Sequence, residues 1–167
     1  MSLTLHTTLG DLKIELSPLT PTLSANFLAL AASGAYDGTL FHRVVAGFIA
    51  QGGAPAGSGG RGGAAAGGGT LPDEFAPALR HAGRGTLSMA KRDAARDGNG
   101  AQFFIALAPA PHLDGASCVI GAVIGGAAVL DALEAVPVAG KAFRPVADVA
   151  VTRVTIHANP FAAPPRA

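Results

Sequence analysis

The sequence has no tryptophan, one tyrosine, one cysteine and two methionines in 167 residues. A lone cysteine, Cys118, excludes an intramolecular disulfide, so the fold must rest on packing and hydrogen bonds. Charge is also scarce: charged residues make up 14%, and 12 Lys+Arg against 11 Asp+Glu leave a net charge of +1. Such a chain has no global field to hold nucleic acid or an anionic membrane surface. A hydrophobic content of 49% excludes a disordered acidic or basic chain. No run of about 18 apolar residues is free of charge, proline or clustered glycine, which argues against a membrane-spanning helix. Asp11, Lys13 and Glu15 interrupt the start of the chain, unlike a secretory leader. The five histidines are dispersed and never fall in HxxxH spacing, so neither a metal site nor a cofactor is expected. A monomer in the cytoplasm or nucleus is the expectation.

Glycine and proline are plentiful, at 23 and 12 residues, and call for many turns and few long helices. The 36 alanines inflate the hydrophobic percentage, so the core must come from Val, Ile, Leu and Phe. Residues 3–8 and 12–16 alternate apolar and polar around Gly10, which predicts an opening antiparallel hairpin. A helix is expected from Leu23 to Ala32, with Pro21 in its first turn, Thr20 or Thr22 as cap and Gly34 as stop. Residues 39–51 read as strand, kink at Gly47, strand; 85–90, 101–107, 117–124 and 149–156 read as further strands. Ala127 to Val136 is a second helix, ended by Pro137. Gly53 to Gly69 holds nine Gly and five Ala in seventeen positions, and by composition alone is a flexible linker. Strands dominate, and a mostly β chain with two helices suggests a closed or nearly closed antiparallel barrel. The domain is expected over 1–157, with a short Pro/Ala-rich tail over 158–167.

Three segments carry chemistry. In Phe41-His42-Arg43 through Gln51-Gly52-Gly53, a re-aiming of the chain at Gly47 would bring Arg43, Phe48 and Gln51 into one groove. An apolar floor with a few directed donors suits a peptide or ligand site; a barrel strand with a snorkelling arginine is the plainer alternative. In Gly100-Ala101-Gln102-Phe103-Phe104-Ile105, the adjacent aromatics face opposite sides of a strand, one toward the core. Parity leaves the role of Gln102 open. The third segment, Pro111-His112-Leu113-Asp114-Gly115, contains a turn signal and a histidine that reads best as a partly exposed loop residue.

In this order and spacing, the three segments, together with Leu87-Ser88-Met89-Ala90, resemble the cyclophilin family of peptidyl-prolyl cis-trans isomerases over roughly residues 2–157. The ends, Thr4-Leu5-His6-Thr7 and Ile156-His157-Ala158-Asn159-Pro160-Phe161, are similar to a short single-domain subfamily of spliceosome-associated cyclophilins. The resemblance implies an eight-stranded antiparallel barrel closed by two helices, with proline-containing peptides as substrates and spliceosomal proteins as partners. It makes Arg43 catalytic and lines a proline pocket with Phe48, Ile49, Phe104 and Leu113. Gln51 and Gln102 would hold the peptide by hydrogen bonds, with Ala90 and Lys91 at its backbone. The Gly-rich stretch becomes an ordered loop, with Gly60 bordering the substrate. His112 stands where strong cyclosporin binders carry Trp, which implies weak binding of that drug, and Ser117 stands where the family has a pocket His. The charged loop from Lys91 to Gly100 reads as solvated. Two other readings are a non-catalytic proline-peptide binding module and a hollow ligand-binding barrel.

Overall fold

A computed structural model describes residues 1–91 and 95–158 of the chain. The opening hairpin forms from β1 (Ser2–Thr7) and β2 (Gly10–Leu16), followed by α1 (Pro21–Ala32). Next come β3 (Arg43–Val45), β4 (Ile49–Gly52), β5 (Thr86–Lys91), β6 (Asn99–Ala106) and β7 (Val119–Gly125). The chain continues through α2 (Ala127–Glu134), β8 (Val138–Ala139), β9 (Arg144–Pro145) and β10 (Val151–Ala158). Eight strands make one antiparallel sheet in the order β10-β1-β2-β7-β5-β6-β4-β3, while β8 and β9 form a separate ribbon. The expected tail lies outside the described residues apart from Ala158, which ends β10.

Of the expected barrel, the eight-stranded antiparallel sheet with its two helices is present, curled into a half-barrel. The sheet curls, but its outer strands β10 and β3 share no ladder. The segments just ahead of these two strands are linked by the bridge from Leu40 to Ala150 and by backbone bonds from the Phe41 N–H to Val149 O at 2.9 Å, the Val151 N–H to Thr39 O at 2.8 Å and the Gly38 N–H to Val151 O at 2.7 Å. β3 has only three residues, and its edge away from β4 is engaged elsewhere, the Val44 N–H donating to Phe143 O at 2.9 Å.

One face of the sheet and α1 enclose the core. Leu3, Leu5, Leu12 and Ile14 come from the hairpin, Leu23, Phe27 and Leu28 from α1, and Leu87, Phe103 and Ile105 from the middle strands. At its centre Phe103 meets the rings of Phe27, Tyr36 and Phe41 edge-on, with centroids 5.4, 5.5 and 6.0 Å away. The Tyr36 hydroxyl donates to Ala101 O at 2.8 Å, which satisfies the one polar atom of a fully buried ring. Where β2 meets β7, Gly121 is required by space: a Cβ there would lie 2.2 Å from Glu15 O.

Helix α1 starts at Pro21, two residues ahead of the expected Leu23, and neither threonine caps it through its side chain. Instead the Glu74 carboxylate, fifty residues away in sequence, accepts from the Thr22 and Leu23 N–H groups at 3.2 and 3.1 Å. It does the work of a cap and places negative charge at the positive end of the helix. The stretch Gly53 to Gly69 is no flexible linker. Buried Asn26 on α1 accepts from Ala66 N at 2.8 Å and donates to Gly100 O at 3.0 Å, while Arg144 Nη2 donates to Gly59 O at 2.6 Å. The sequence reading also missed the β8–β9 ribbon and a single 3₁₀ turn over Pro111–Leu113.

Helix α2 is tied to the turn between β3 and β4. Glu134 Oε2 accepts from the Gly47 N–H at 2.7 Å, and its other oxygen accepts from Arg84 Nη1 at 2.7 Å. These contacts, the Gly47 N–H foremost, hold the Glu134 carboxyl below its ordinary range. The folded chain then binds fewer protons at this site than the unfolded chain. The stability it contributes is present above the unfolded carboxyl range, roughly pH 4.3, and is lost as pH falls. Urea titrations from pH 6 down to about pH 3 should show that loss, and Glu134→Gln should flatten it. In the core, Phe103→Ala should lower the unfolding free energy by about 3–5 kcal/mol, measured by urea denaturation at neutral pH.

Candidate active site

The site begins with strand register. In β3, β4, β6 and β5, Arg43 lies opposite Gln51, Gln51 opposite Phe104, and Phe104 opposite Ser88. Directly paired residues share a face, so all four stand in one row on the side of the sheet away from the core. Ile49 and Gln102 lie two residues from members of that row and join the same face. Phe103 points the other way into the core, so the two adjacent aromatics divide as their parity requires.

Phe104, Ile49 and Ala90 form a small apolar cluster separate from the core, edged by half-buried Phe48 and Leu113. Phe48 comes from the turn at Gly47, which is closed by a bond from the Phe48 N–H to Val45 O at 2.9 Å. Leu113 ends the 3₁₀ turn. Arg43 stands beside this cup and donates from Nη1 to Gln51 Oε1 at 3.4 Å. Gln51 Nε2 donates to Gln102 Oε1 at 2.9 Å, and Gln102 Nε2 donates to the carbonyls of Gly62 and Gly60 at 2.8 and 3.2 Å. Each amide has its orientation set by the next, and two backbone carbonyls of the Gly-rich loop fix the series.

A cavity of about 580 Å³ covers the cup. Arg43, Gln51 and the five cup residues line it, as do Lys91 and Ser117; Gly60, Gln102 and His112 do not. Gln102 reaches the site through Gln51. His112 stacks on Phe48, with centroids 5.5 Å apart. Gly60 contributes its carbonyl, and it has to be glycine for a local reason: its φ is +89°, and a Cβ would meet the His42 ring at 2.5 Å.

Lys91 does not belong to a solvated loop. Its ammonium pairs with Asp73 at 2.5 Å, both side chains about one-tenth exposed (11% and 10%). Burial works to raise the Asp73 carboxyl, but Lys91, the Asn99 amide at 2.8 Å and a backbone bond hold it below its usual range. Asp97 is likewise engaged, accepting from the Asp73 N–H at 2.7 Å. Arg92 and Asp93 lie outside the described residues.

Sequence reasoning missed His81. Its Nδ1 lies 2.8 Å from Asp114 Oδ1, its Nε2 lies 2.9 Å from Ser88 Oγ, and its ring stacks on Phe104 at 5.8 Å. The His81 backbone N–H, then its ring, keep the Asp114 carboxyl below its ordinary range, and since a carboxylate only accepts, Nδ1 is the donor of the pair. Serine, histidine and aspartate in this order look like a hydrolytic triad. Here Ser88 is fully buried and His81 is 1% exposed, so no substrate carbonyl can reach the hydroxyl. The array braces the cup from behind: His81 holds Phe104 by stacking and holds the segment bearing Leu113 through Asp114. Only the spacing of His81 and Ser88, seven residues apart with Ser88 on β5, hints at it in the sequence.

The cavity therefore offers an apolar cup, one guanidinium and two amides. Cys118 supplies no nucleophile, since burial pushes its thiol up to about 11. Among the described residues, no three His, Cys, Asp or Glu side chains gather as a metal site would require. The cup and its directed donors fit a peptide or other ligand held by apolar contact and a few hydrogen bonds.

Comparison with known proteins agrees. The family model for cyclophilin type peptidyl-prolyl cis-trans isomerases matches residues 2–156. Peptidyl-prolyl cis-trans isomerase CYP18-1 of Arabidopsis thaliana is 49% identical, covering 97% of this chain and 99% of that one. The human peptidyl-prolyl cis-trans isomerase-like 3 is 48% identical with the same coverage. A Cryptosporidium parvum cyclophilin type isomerase, solved in the presence of the dipeptide Ala-Pro, superposes with a TM-score of 0.88 at 39% identity, covering 95% of this chain and all of that one. The chain, mostly β with two helices, belongs to the cyclophilin-type peptidyl-prolyl cis-trans isomerases.

Proposed function

We propose that the cavity isomerises X–Pro peptide bonds, with the proline ring in the cup of Phe48, Ile49, Phe104 and Leu113 and with Arg43 as the catalytic residue. The observation that carries this is the placement of one guanidinium, oriented by an amide, at the edge of an apolar cup in a single cavity. Rotation about an amide costs roughly 18–20 kcal/mol because the C–N bond has partial double-bond character. Halfway through, conjugation is lost and the prolyl nitrogen gains a lone pair. A guanidinium directed at that nitrogen binds the twisted amide more tightly than either planar form, and only such differential binding lowers the barrier. Arginine keeps its charge and holds its donors in a rigid plane. Gln102 orients Gln51, which in turn orients Arg43 and offers the peptide hydrogen bonds, and Ala90 and Lys91 meet the backbone beside the proline. The cup holds the ring while the preceding carbonyl turns.

The bridge from Leu40 to Ala150 supports a further reading of the curled sheet as a barrel shut along that seam. The similarity of the terminal segments to spliceosome-associated cyclophilins supports spliceosomal proteins as partners. His112 in place of an indole supports weak cyclosporin binding.

In an NMR exchange or protease-coupled assay on an Ala-Pro peptide, the native chain should accelerate isomerisation, and Arg43→Ala should lower kcat/KM by about 10²–10³-fold. Arg43→Lys should fail to restore the rate. A folded native chain that binds the peptide without accelerating it would favour the proline-peptide binding module. His81 is a positioning residue: His81→Ala should raise KM more than it lowers kcat, and His81→Asn, able to keep one of the ring's hydrogen bonds, should recover part of that loss.

A further inference from the structure

Isomerisation of the X–Pro bond uses only one end of the cavity. The same space is also walled by Phe75, Lys91, Arg96 and the segment Gly115–Ser117. The whole, about 580 Å³, falls within the range of roughly 300–1,000 Å³ that accommodates complete drug-sized ligands. A five-membered ring fills only part of it.

Phe75 is the notable member of that wall. It is 49% exposed. A single exposed apolar side chain is ordinary on a protein surface, but this ring lines the same cavity as Arg43 and also a neighbouring hollow lined by Leu79 and Asp114. It therefore stands as a ridge along the path of any peptide that leaves the cup on this side. Lys91 steadies it: the ammonium lies 5.8 Å from the ring centroid and is pinned by Asp73. That pinning keeps a long mobile side chain from folding across the cavity and neutralises the one carboxylate on this wall. Ser117 adds little bulk between the ring and the cup.

We propose that Phe75, with Lys91 and Ser117 beside it, forms a second subsite continuous with the proline cup, which selects a bulky apolar or aromatic side chain flanking the proline in the same peptide. Continuity with the substrate cavity identifies the occupant as part of the substrate. A basic flank is disfavoured, because Arg43 and Arg96 already face the same space. The inference rests on the isomerase reading of the site.

The test is a series of short peptides with one X–Pro bond, in which the residue before or after the proline is Ala, Leu, Phe, Glu or Lys. Rates and dissociation constants are both measured. At one of the two flanks, Phe or Leu should exceed Ala in kcat/KM by about five- to tenfold, the size of one aromatic contact, mainly through KM. Phe75→Ala should bring that ratio to within twofold of one, and Phe75→Tyr should preserve most of it. An active native chain that treats all flanks alike, prefers Glu, or keeps its preference in Phe75→Ala would overturn the subsite. A native chain that accelerates none of the peptides would overturn the catalytic reading instead, and the dissociation constants of the same peptides would still decide for or against the subsite.

Discussion

Strand β6 serves two apolar compartments at once, and the geometry of the pleat lets it do so. Successive side chains leave opposite faces of a strand, so Phe103 and Phe104 cannot share a side. Phe103 joins Phe27, Tyr36 and Phe41 at the centre of the core, and Phe104 becomes the floor of the cup. The cup is then as rigid as the core beneath it, because one backbone carries both. Any movement of β6 that spoils the cup also disturbs a close-packed interior, where small displacements are costly.

The polar half of the site takes its order from hydrogen bonding. Three side-chain amide and guanidinium groups and two loop carbonyls form a directional series from Arg43 to Gly62. The loop that ends this series has almost no side chains to pack. It is held by Asn26 from the helix, Gln102 from the sheet and Arg144 from the ribbon. Glycine suits the role, since several turns there take positive φ and Gly60 must lie against the His42 ring.

Where one face of a strand is buried, the sequence was readable. Period-2 alternation located the opening hairpin, the parity of Phe103 and Phe104 was right, and the stripe on α1 buried as expected. Of the twelve site residues the family resemblance implies, nine line a single cavity. What composition hid were contacts made across the chain. Seventeen residues rich in Gly and Ala read as linker because nothing local shows that Asn26 will bind them. Thr20 and Thr22 read as caps because nothing local shows Glu74 arriving from fifty residues away. Lys91 read as solvated because its partner, Asp73, lies in another segment. His81 was passed over because its three partners come from separate places in the chain. Strand count alone does not decide seam closure, since it does not reveal that β3 has only three residues.

The pairing of β1 with β10 reaches further than its hydrogen bonds. Ser2 is opposite Ala158 and Leu5 opposite Val154, so the first strand completes its ladder only with the last. During synthesis, the N-terminal hairpin must wait with one edge of β1 unpaired until nearly the entire chain has emerged. Such non-local pairing slows folding, and an unpaired apolar edge invites pairing with other chains. A nascent chain of this topology therefore depends on its own final segment for protection, and truncation there would expose the oldest part of the fold.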